Sequence, residues 1–166
     1  MINTLEDIQN RPVEERVGKL LKAKGLTIAT AESCTGGGVA AALTSVAGSS
    51  EYVKGGIVAY TNRIKEKLLH VSHSTLERFT AVSEQTVREM ACGAKEQFDA
   101  DCAIATSGVA GPGGGTKETP VGTIWLAVAC GNHVEVQKLT KDAGRSKNTQ
   151  NAVENALLML EGMLNA

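Results

Sequence analysis

The chain has 166 residues, a length typical of one domain, and its 17 Lys and Arg residues are balanced by 18 Asp and Glu residues. A net charge of −1 and only five aromatic side chains (two Phe, two Tyr, one Trp) argue against a nucleic-acid binder, which needs a basic surplus and stacking surfaces. Apolar residues make up 42% of the sequence, enough to bury a core. The 18 glycines exceed the usual share of about 7%.

The sequence also bears on the protein's surroundings. Its first residues, MINTLEDIQNRPVEERV, lack the basic start and apolar run of a signal peptide. No stretch approaches the roughly 20 apolar residues of a membrane helix. The four cysteines (Cys34, Cys92, Cys102 and Cys130) contain no C-x-x-C pair, so neither a disulfide framework nor a zinc site is expected. We predict a cytoplasmic protein with reduced thiols that binds no membrane, nucleic acid or metal.

The first half of the chain alternates predicted helices and strands. Pro12 and Gly25 mark the two ends of an amphipathic helix. A strand at 26–30, a polar glycine-rich turn at 32–38, an alanine-rich helix at 39–45 and an apolar strand at 55–60 follow. Asn62 is predicted to cap a helix that runs through Lys65 to Leu69.

The second half begins with helices and ends with strands and one long helix. Ser74 has capping-box spacing and opens a short helix, and Ser83 caps a longer one. Strands are predicted at 101–106, 122–129 and 133–140, the last two forming a hairpin around Gly131-Asn132, before a helix at 145–164. The order α-β-α-β-α-α-β-β-β-α predicts one layered α/β domain over residues 1–166, with a mixed sheet.

Three polar or glycine-rich segments follow directly after apolar strands. They read ESCTGGG, YTNRIK and SGVAGPGGG in chain order. Ligands of open α/β sheets bind at the carboxyl ends of parallel strands. We therefore expect the three segments to meet at one edge of the sheet.

The first segment places Ser33 on a strand-to-helix turn. Ser33 could be a nucleophile whose oxyanion is held by the N–H groups of Cys34, Thr35, Gly36 and Gly37. It could equally be a helix-capping serine followed by glycines that let the backbone turn. Cys34 is a less favoured alternative nucleophile, because no histidine lies in these segments to serve it as a base.

A serine nucleophile needs a base, and the three histidines are poorly placed for this role. His70 and His73 follow a helix, and His133 lies at the hairpin. His70 and His73 could bind a metal ion as a pair, but without nearby carboxylates a solvated turn is the more expected structure. Lys65 falls in the first turn of a helix, where the helix dipole lowers a lysine pKa and favours a neutral base. Tyr60 could relay its proton. The alternative is that Lys65 pairs with a surface acid and Tyr60 is packing.

The third segment opens a loop at 107–121 with five glycines in eight positions. Successive N–H groups in such a loop form a nest suited to phosphate, although the spacing is neither a P-loop nor a dinucleotide fingerprint. The alternative is a flexible surface loop. Arg145 and Lys147, which open the last helix, either add positive charge for the same anion or are solvated.

Four motifs together are specific. TAESCTGG, GGIVAYTNRIKEKLL, AVSEQTVREMACGA and SGVAGPGGGTKETPVGTIWLA resemble, in this order, the CinA C-terminal domain family, over residues 8–164. The resemblance implies a three-layer α/β/α domain, often a homodimer, that hydrolyses the carboxamide of nicotinamide mononucleotide to nicotinate mononucleotide and ammonia without metal or cofactor.

The resemblance also implies roles for residues. Ser33 falls on the family's nucleophile, and Tyr60 and Lys65 fall on the residues that assist it. The implied substrate-binding residues are Cys34, Thr35, Gly36, Gly37, Asn62, Ser107, Gly108, Gly111, Pro112, Gly113, Gly114 and Arg145.

The chain departs from the family pattern at the last helix. It has Ala143-Gly144-Arg145 where the family often has Gly-Asp-Arg, and Thr149 where a second basic residue often follows. Two other functions therefore stay open: a pyridine-nucleotide-binding module without catalysis, and an amidase for another small amide.

Overall fold

The computed structural model describes residues 10–166. Residues 1–9, the start of the segment that lacks the features of a signal peptide, lie outside the described residues. In chain order, the elements are α1 (Val13–Lys24), β1 (Ile28–Glu32), α2 (Gly38–Thr44), β2 (Val53–Val58), α3 (Asn62–Leu69), α4 (His73–Phe79), α5 (Glu84–Gln97), β3 (Cys102–Gly108), β4 (Ile124–Cys130), β5 (His133–Leu139) and α6 (Arg145–Asn165).

The five strands form one mixed sheet in the order β2-β1-β3-β4-β5. Strand β1 pairs in parallel with both β2 and β3, whereas β4 and β5 are antiparallel and form the predicted hairpin. All five residues of β1 are buried, because this strand lies inside the sheet and is covered on both faces. This explains why the strand has no polar alternation.

Helices cover both faces of the sheet. On one face, α1, α2 and α6 pack on Ile28, Ile104 and Leu126. On the other face, helices including α5 pack on a layer of small side chains: Ala31, Ala103, Ala105, Ala127 and Ala129. Small residues let a helix approach the sheet closely. The predicted three-layer α/β/α architecture is confirmed.

Several element bounds and caps differ from the sequence prediction. Strand β1 begins at Ile28 instead of residue 26, β2 spans Val53–Val58 instead of 55–60, and the short helix α4 has Ser72 as its N-cap instead of Ser74. The cap of α3 is Thr61 instead of Asn62: Thr61 is extended, and its hydroxyl accepts a hydrogen bond from the Ile64 N–H (3.4 Å). Thr and Asn are both good caps, and their order along the chain does not decide between them.

The prediction of reduced thiols is wrong for one pair. Cys102 and Cys130 form a disulfide that joins β3 to β4. The register of this antiparallel pair places the two residues opposite each other, with their Cα atoms 4.2 Å apart. The sequence separation of 28 residues does not reveal this register. Cys34 and Cys92 are free.

None of the helices in residues 10–166 is long and apolar enough to cross a membrane.

Helix α5 packs closely against the end of α3 at Gly93. A Cβ atom at this position would lie 1.8 Å from the carbonyl oxygen of Leu69. We therefore expect Gly93→Ala to destabilise the fold by about 1–3 kcal/mol, the usual cost of overpacking. Gly162→Ala in α6 is the matched control, because nothing lies within 4 Å of the added atom. The free energy of unfolding in urea measures both, and equal stabilities of the two variants would contradict the close packing.

Candidate active site

The segments that follow β1, β2 and β3 meet at one pocket of about 300 Å³. The three strands are parallel neighbours, so their carboxyl ends share one edge of the sheet, as predicted. The lining residues come from all three segments and from the start of α6: Ser33, Cys34, Tyr60, Gly108, Val109, Ala110, Gly111, Gly113, Gly114 and Arg145.

Lys65 reaches Ser33 directly. Its Nζ donates hydrogen bonds to Ser33 Oγ (3.1 Å) and to the Ala59 carbonyl oxygen (2.8 Å). The side chain is only 2% exposed and, among the described residues, forms no ion pair, so it does not pair with a surface acid. Burial disfavours the charged ammonium and lowers the pKa of Lys65. A lysine held in this way can become the neutral base that a serine needs.

The turn that carries Ser33 is anchored by the buried carboxylate of Glu32. Its Oε1 accepts hydrogen bonds from the Thr35 hydroxyl (2.7 Å) and the Val39 N–H (2.8 Å), and its Oε2 accepts one from the Ala40 N–H (3.0 Å). Glu32 thus caps α2, whose N-cap residue, Gly37, supplies no side-chain bond. The amides at this helix start serve the protein's own carboxylate.

A second hydrogen-bond chain fixes Ser33 from behind. The Ser33 N–H donates to the Thr106 carbonyl oxygen (3.0 Å), and the hydroxyls of Thr106 and Thr35 lie 2.7 Å apart. Because Thr35 donates its proton to Glu32, Thr106 must donate to Thr35. Every hydroxyl proton in this buried network therefore has one assigned acceptor, which holds the turn in a single conformation.

These bonds narrow the choice of oxyanion donors. The Gly36 N–H donates to the Ser33 carbonyl oxygen (3.0 Å), whereas those of Cys34, Thr35 and Gly37 have no acceptor among residues 10–166. Of these three residues only Cys34 lines the pocket. The Cys34 N–H is therefore the best placed donor in the turn for an oxyanion formed at Ser33.

The Cys34 thiol is a poor nucleophile. Burial raises its pKa to about 11, so the thiol keeps its proton near neutral pH. The reactive form of cysteine is the thiolate. This favours Ser33 over Cys34, in line with the sequence argument.

Tyr60 and Arg145 lie on the outer side of the pocket. Tyr60 is 60% exposed, and its hydroxyl accepts a hydrogen bond from Arg145 Nη2 (3.3 Å). Arg145 Nη1 donates to the Gly111 carbonyl oxygen (2.8 Å). Since Lys65 touches Ser33 directly, proton transfer between them needs no relay through Tyr60.

Several residues predicted to bind substrate lie outside this pocket. Ser107 donates its hydroxyl proton to the Ala81 carbonyl oxygen (2.7 Å), Thr35 is bonded to Glu32, and Asn62 is exposed at the start of α3. Gly36, Gly37 and Pro112 also do not line the pocket. These residues belong to the segments that form the pocket, but the local turns place them outside the pocket lining.

The histidines take no part in the pocket. No histidine lines it, and the expectation that no carboxylate lies near His70 and His73 is wrong, because the exposed His73 lies 2.6 Å from Glu66 and 3.3 Å from Glu77. Within residues 10–166, no three His, Cys, Asp or Glu residues are grouped to hold a metal ion.

Three buried polar residues at the site were not among the predicted ones: Glu32, Thr106 and Asn148 of α6. Glu32 directly precedes Ser33, and a carboxylate next to a glycine-rich helix start is a signal that could have indicated a cap. Thr106 carries no comparable local signal, because its partner Thr35 lies 71 residues away in the sequence, and the Ala110 partner of Asn148 lies 38 residues away.

Glu32→Gln tests the anchoring of the turn. The amide offers one acceptor oxygen in place of two, and its NH2 group then faces a helix N–H donor. We expect a loss of about 1–3 kcal/mol in the free energy of unfolding. Glu154→Gln, an exposed acid of α6, is the control. Urea unfolding measures the loss, and a variant as stable as wild type would refute this role of Glu32.

The molecule is thus a three-layer α/β domain in which a buried lysine contacts a serine that lines a glycine-rich pocket. The chain belongs to the CinA C-terminal domain family, whose model matches residues 10–164.

Relatives and solved structures agree with this membership. "Nicotinamide-nucleotide amidohydrolase PncC" of Escherichia coli K12 is 48% identical over 125 residues, which cover 75% of this chain and 76% of that protein. A "CinA-like protein" of Chloroherpeton thalassium is 46% identical over 159 residues, 93% of this chain but 38% of that protein. The chain spans about a third of the length of such CinA-like relatives. The crystal structure of competence/damage inducible protein CihA from Agrobacterium tumefaciens has a TM-score of 0.89, 42% identity and full coverage of both chains.

Proposed function

We propose that this chain hydrolyses the carboxamide of nicotinamide mononucleotide to nicotinate mononucleotide and ammonia. The observation that carries the proposal is the 3.1 Å contact between Lys65 Nζ and the Oγ of Ser33, a residue that lines the pocket. The substrate is supported by the relatives named nicotinamide-nucleotide amidohydrolase, which are 48% and 53% identical over the matched residues.

The first half of the proposed reaction forms an acyl-enzyme. Ser33 Oγ attacks the carboxamide carbon while neutral Lys65 accepts the serine proton, and the Cys34 N–H stabilises the oxyanion. The tetrahedral intermediate collapses when the Lys65 ammonium returns the proton to the leaving nitrogen. Ammonia leaves, and the acyl group stays bound to Ser33 as an ester.

The second half restores the enzyme. A water molecule attacks the ester carbon while Lys65 again accepts a proton. The C–O bond to Ser33 breaks, Ser33 regains its proton from Lys65, and nicotinate mononucleotide leaves. Lys65 carries each proton in turn, which requires an amine that is neutral when the cycle begins.

The outer part of the pocket supplies the proposed phosphate contact. The Arg145 guanidinium lies beside the glycine loop and can form two parallel hydrogen bonds with a phosphate. Gly111, Gly113 and Gly114 line the same pocket, and their backbone N–H groups have no acceptor among residues 10–166, so they suit an anion. The carboxamide and the phosphate then bind at opposite ends of the pocket.

Ammonia release from the purified protein tests the proposal. Nicotinamide mononucleotide, nicotinamide riboside and nicotinamide are compared at equal concentrations, with acid products measured beside ammonia. We expect equal amounts of ammonia and acid, and the highest kcat/KM for the mononucleotide. Binding without ammonia release would indicate a binding module, and a preference for an amide without phosphate would indicate a different amidase.

A further inference from the structure

The side chain of Asn148 is buried between the glycine loop and the start of α6. It is 2% exposed, and its Oδ1 accepts a hydrogen bond from the Ala143 N–H (2.8 Å). Its Nδ2 donates to the Ala110 carbonyl oxygen (3.0 Å) and to Asp142 Oδ1 (2.9 Å). Both amide protons of Asn148 are therefore hydrogen-bonded, one to the glycine loop and the other to the residues before α6.

These partners lie on either side of Arg145. Ala110 precedes Gly111, whose carbonyl oxygen accepts the Arg145 Nη1 bond. On the other side, Asp142 Oδ1 also accepts the Gly144 N–H (2.9 Å), directly before Arg145. Hydrogen bonds from Asn148 and Gly144 lower the pKa of Asp142 and keep it ionised. Asn148 thus links two segments of the chain. One is the backbone directly before Arg145, and the other is the glycine loop, which orients the Arg145 guanidinium.

The side chain of Arg145 needs such hydrogen bonds around its backbone to hold it in one position. It follows Gly144, which adopts φ 85° and provides no side-chain cap to α6. An arginine side chain loses rotamer freedom when it is fixed, and it loses less when its backbone and partners are already in place. Apart from Asn148 and Asp142, no side chain among the described residues bonds the backbone of residues 143–145.

We propose that Asn148 is a positioning residue that sets the affinity for phosphate-bearing substrates by holding Arg145 and the glycine loop in register. The proposal rests on the proposed function, since it assumes that Arg145 contacts the substrate phosphate. If Asn148 only stabilised the start of the helix, its substitution would raise the Kd of all ligands alike. If it positions Arg145, its substitution raises the Kd of ligands with a phosphate and leaves the Kd of ligands without one unchanged.

The test compares dissociation constants for nicotinamide mononucleotide and its riboside by calorimetry, in a Ser33→Ala background that prevents turnover. Asn148→Asp keeps the shape but turns both donors into acceptors that face the Ala110 carbonyl oxygen and Asp142. We expect an increase of about tenfold or more in the Kd of the mononucleotide, and a Kd of the riboside within about twofold of the parent. Asn151→Asp, one turn further along α6, is the matched control and leaves both values unchanged.

A second variant covers the case in which Asn148→Asp does not fold. Asp142→Ala removes the bonds of an exposed side chain to Asn148 and to the Gly144 N–H, and we expect about a threefold increase in the Kd of the mononucleotide alone. Equal weakening of both ligands, or of neither, overturns the proposal. Failure of the proposed function is seen separately, as absence of ammonia release by the parent protein with an intact Ser33.

Discussion

Lys65→Met is expected to lower kcat for ammonia release by about 10²- to 10⁴-fold, the usual contribution of a general base. Methionine fills the buried channel of the lysine side chain but cannot accept the Ser33 proton. The Kd for nicotinamide mononucleotide should change little, because the pocket-lining residues do not include Lys65. Lys67→Met, two residues further on the exposed side of α3, is the control. A kcat within about threefold of wild type would remove Lys65 from the mechanism.

The lowered pKa of Lys65 also predicts how the reaction rate and the stability of the fold depend on pH. Burial lowers the pKa of Lys65 below its ordinary value of 10.5, and the reaction needs the neutral amine. The kcat of wild type should therefore rise with pH through the lowered pKa and then level off. Between that pKa and 10.5, the unfolded chain binds more protons than the folded one, so stability also rises with pH. Lys65→Met should lack this rise, which urea unfolding over a pH series measures.

Ser33→Ala is expected to abolish ammonia release, with a loss of at least about 10³-fold in kcat. The substitution removes the attacking oxygen but leaves Lys65 bonded to the Ala59 carbonyl oxygen, so the fold and substrate binding should persist. Ser146→Ala, an exposed serine at the start of α6, is the control. The opposite pattern, an active Ser33→Ala and an inactive Cys34→Ala, would assign the nucleophile to Cys34.

Much of the fold could be predicted because local signals determine it. Pro12 and Gly25 are the two residues that flank α1, and the apolar run GGIVAY overlaps β2, which begins and ends two residues earlier, at Val53 and Val58. Alternation of strands and helices then made β1, β2 and β3 parallel, which brought three polar segments to one pocket. These inferences need only chain order and periodicity.

The parts that could not be predicted depend on tertiary register. The Cys102–Cys130 disulfide follows from the alignment of β3 with β4, and the Lys65–Ser33 contact follows from the direction in which α3 leaves β2. The carboxylate oxygens of Glu32 accept hydrogen bonds from the Val39 and Ala40 N–H groups at the start of α2, a capping role that chain order does not reveal. Chain order places such groups in a neighbourhood but does not say which of them touch.

Partition of the acyl-enzyme tests the central claim most directly. Wild type is supplied with nicotinamide mononucleotide or with the methyl ester of nicotinate mononucleotide, each in the presence of hydroxylamine. Both substrates should place the same acyl group on Ser33, which water converts to the acid and hydroxylamine to the hydroxamate. The account predicts the same ratio of hydroxamate to acid from the amide and the ester. Different ratios would show that no common acyl-enzyme forms and would contradict the role of Ser33 as the nucleophile.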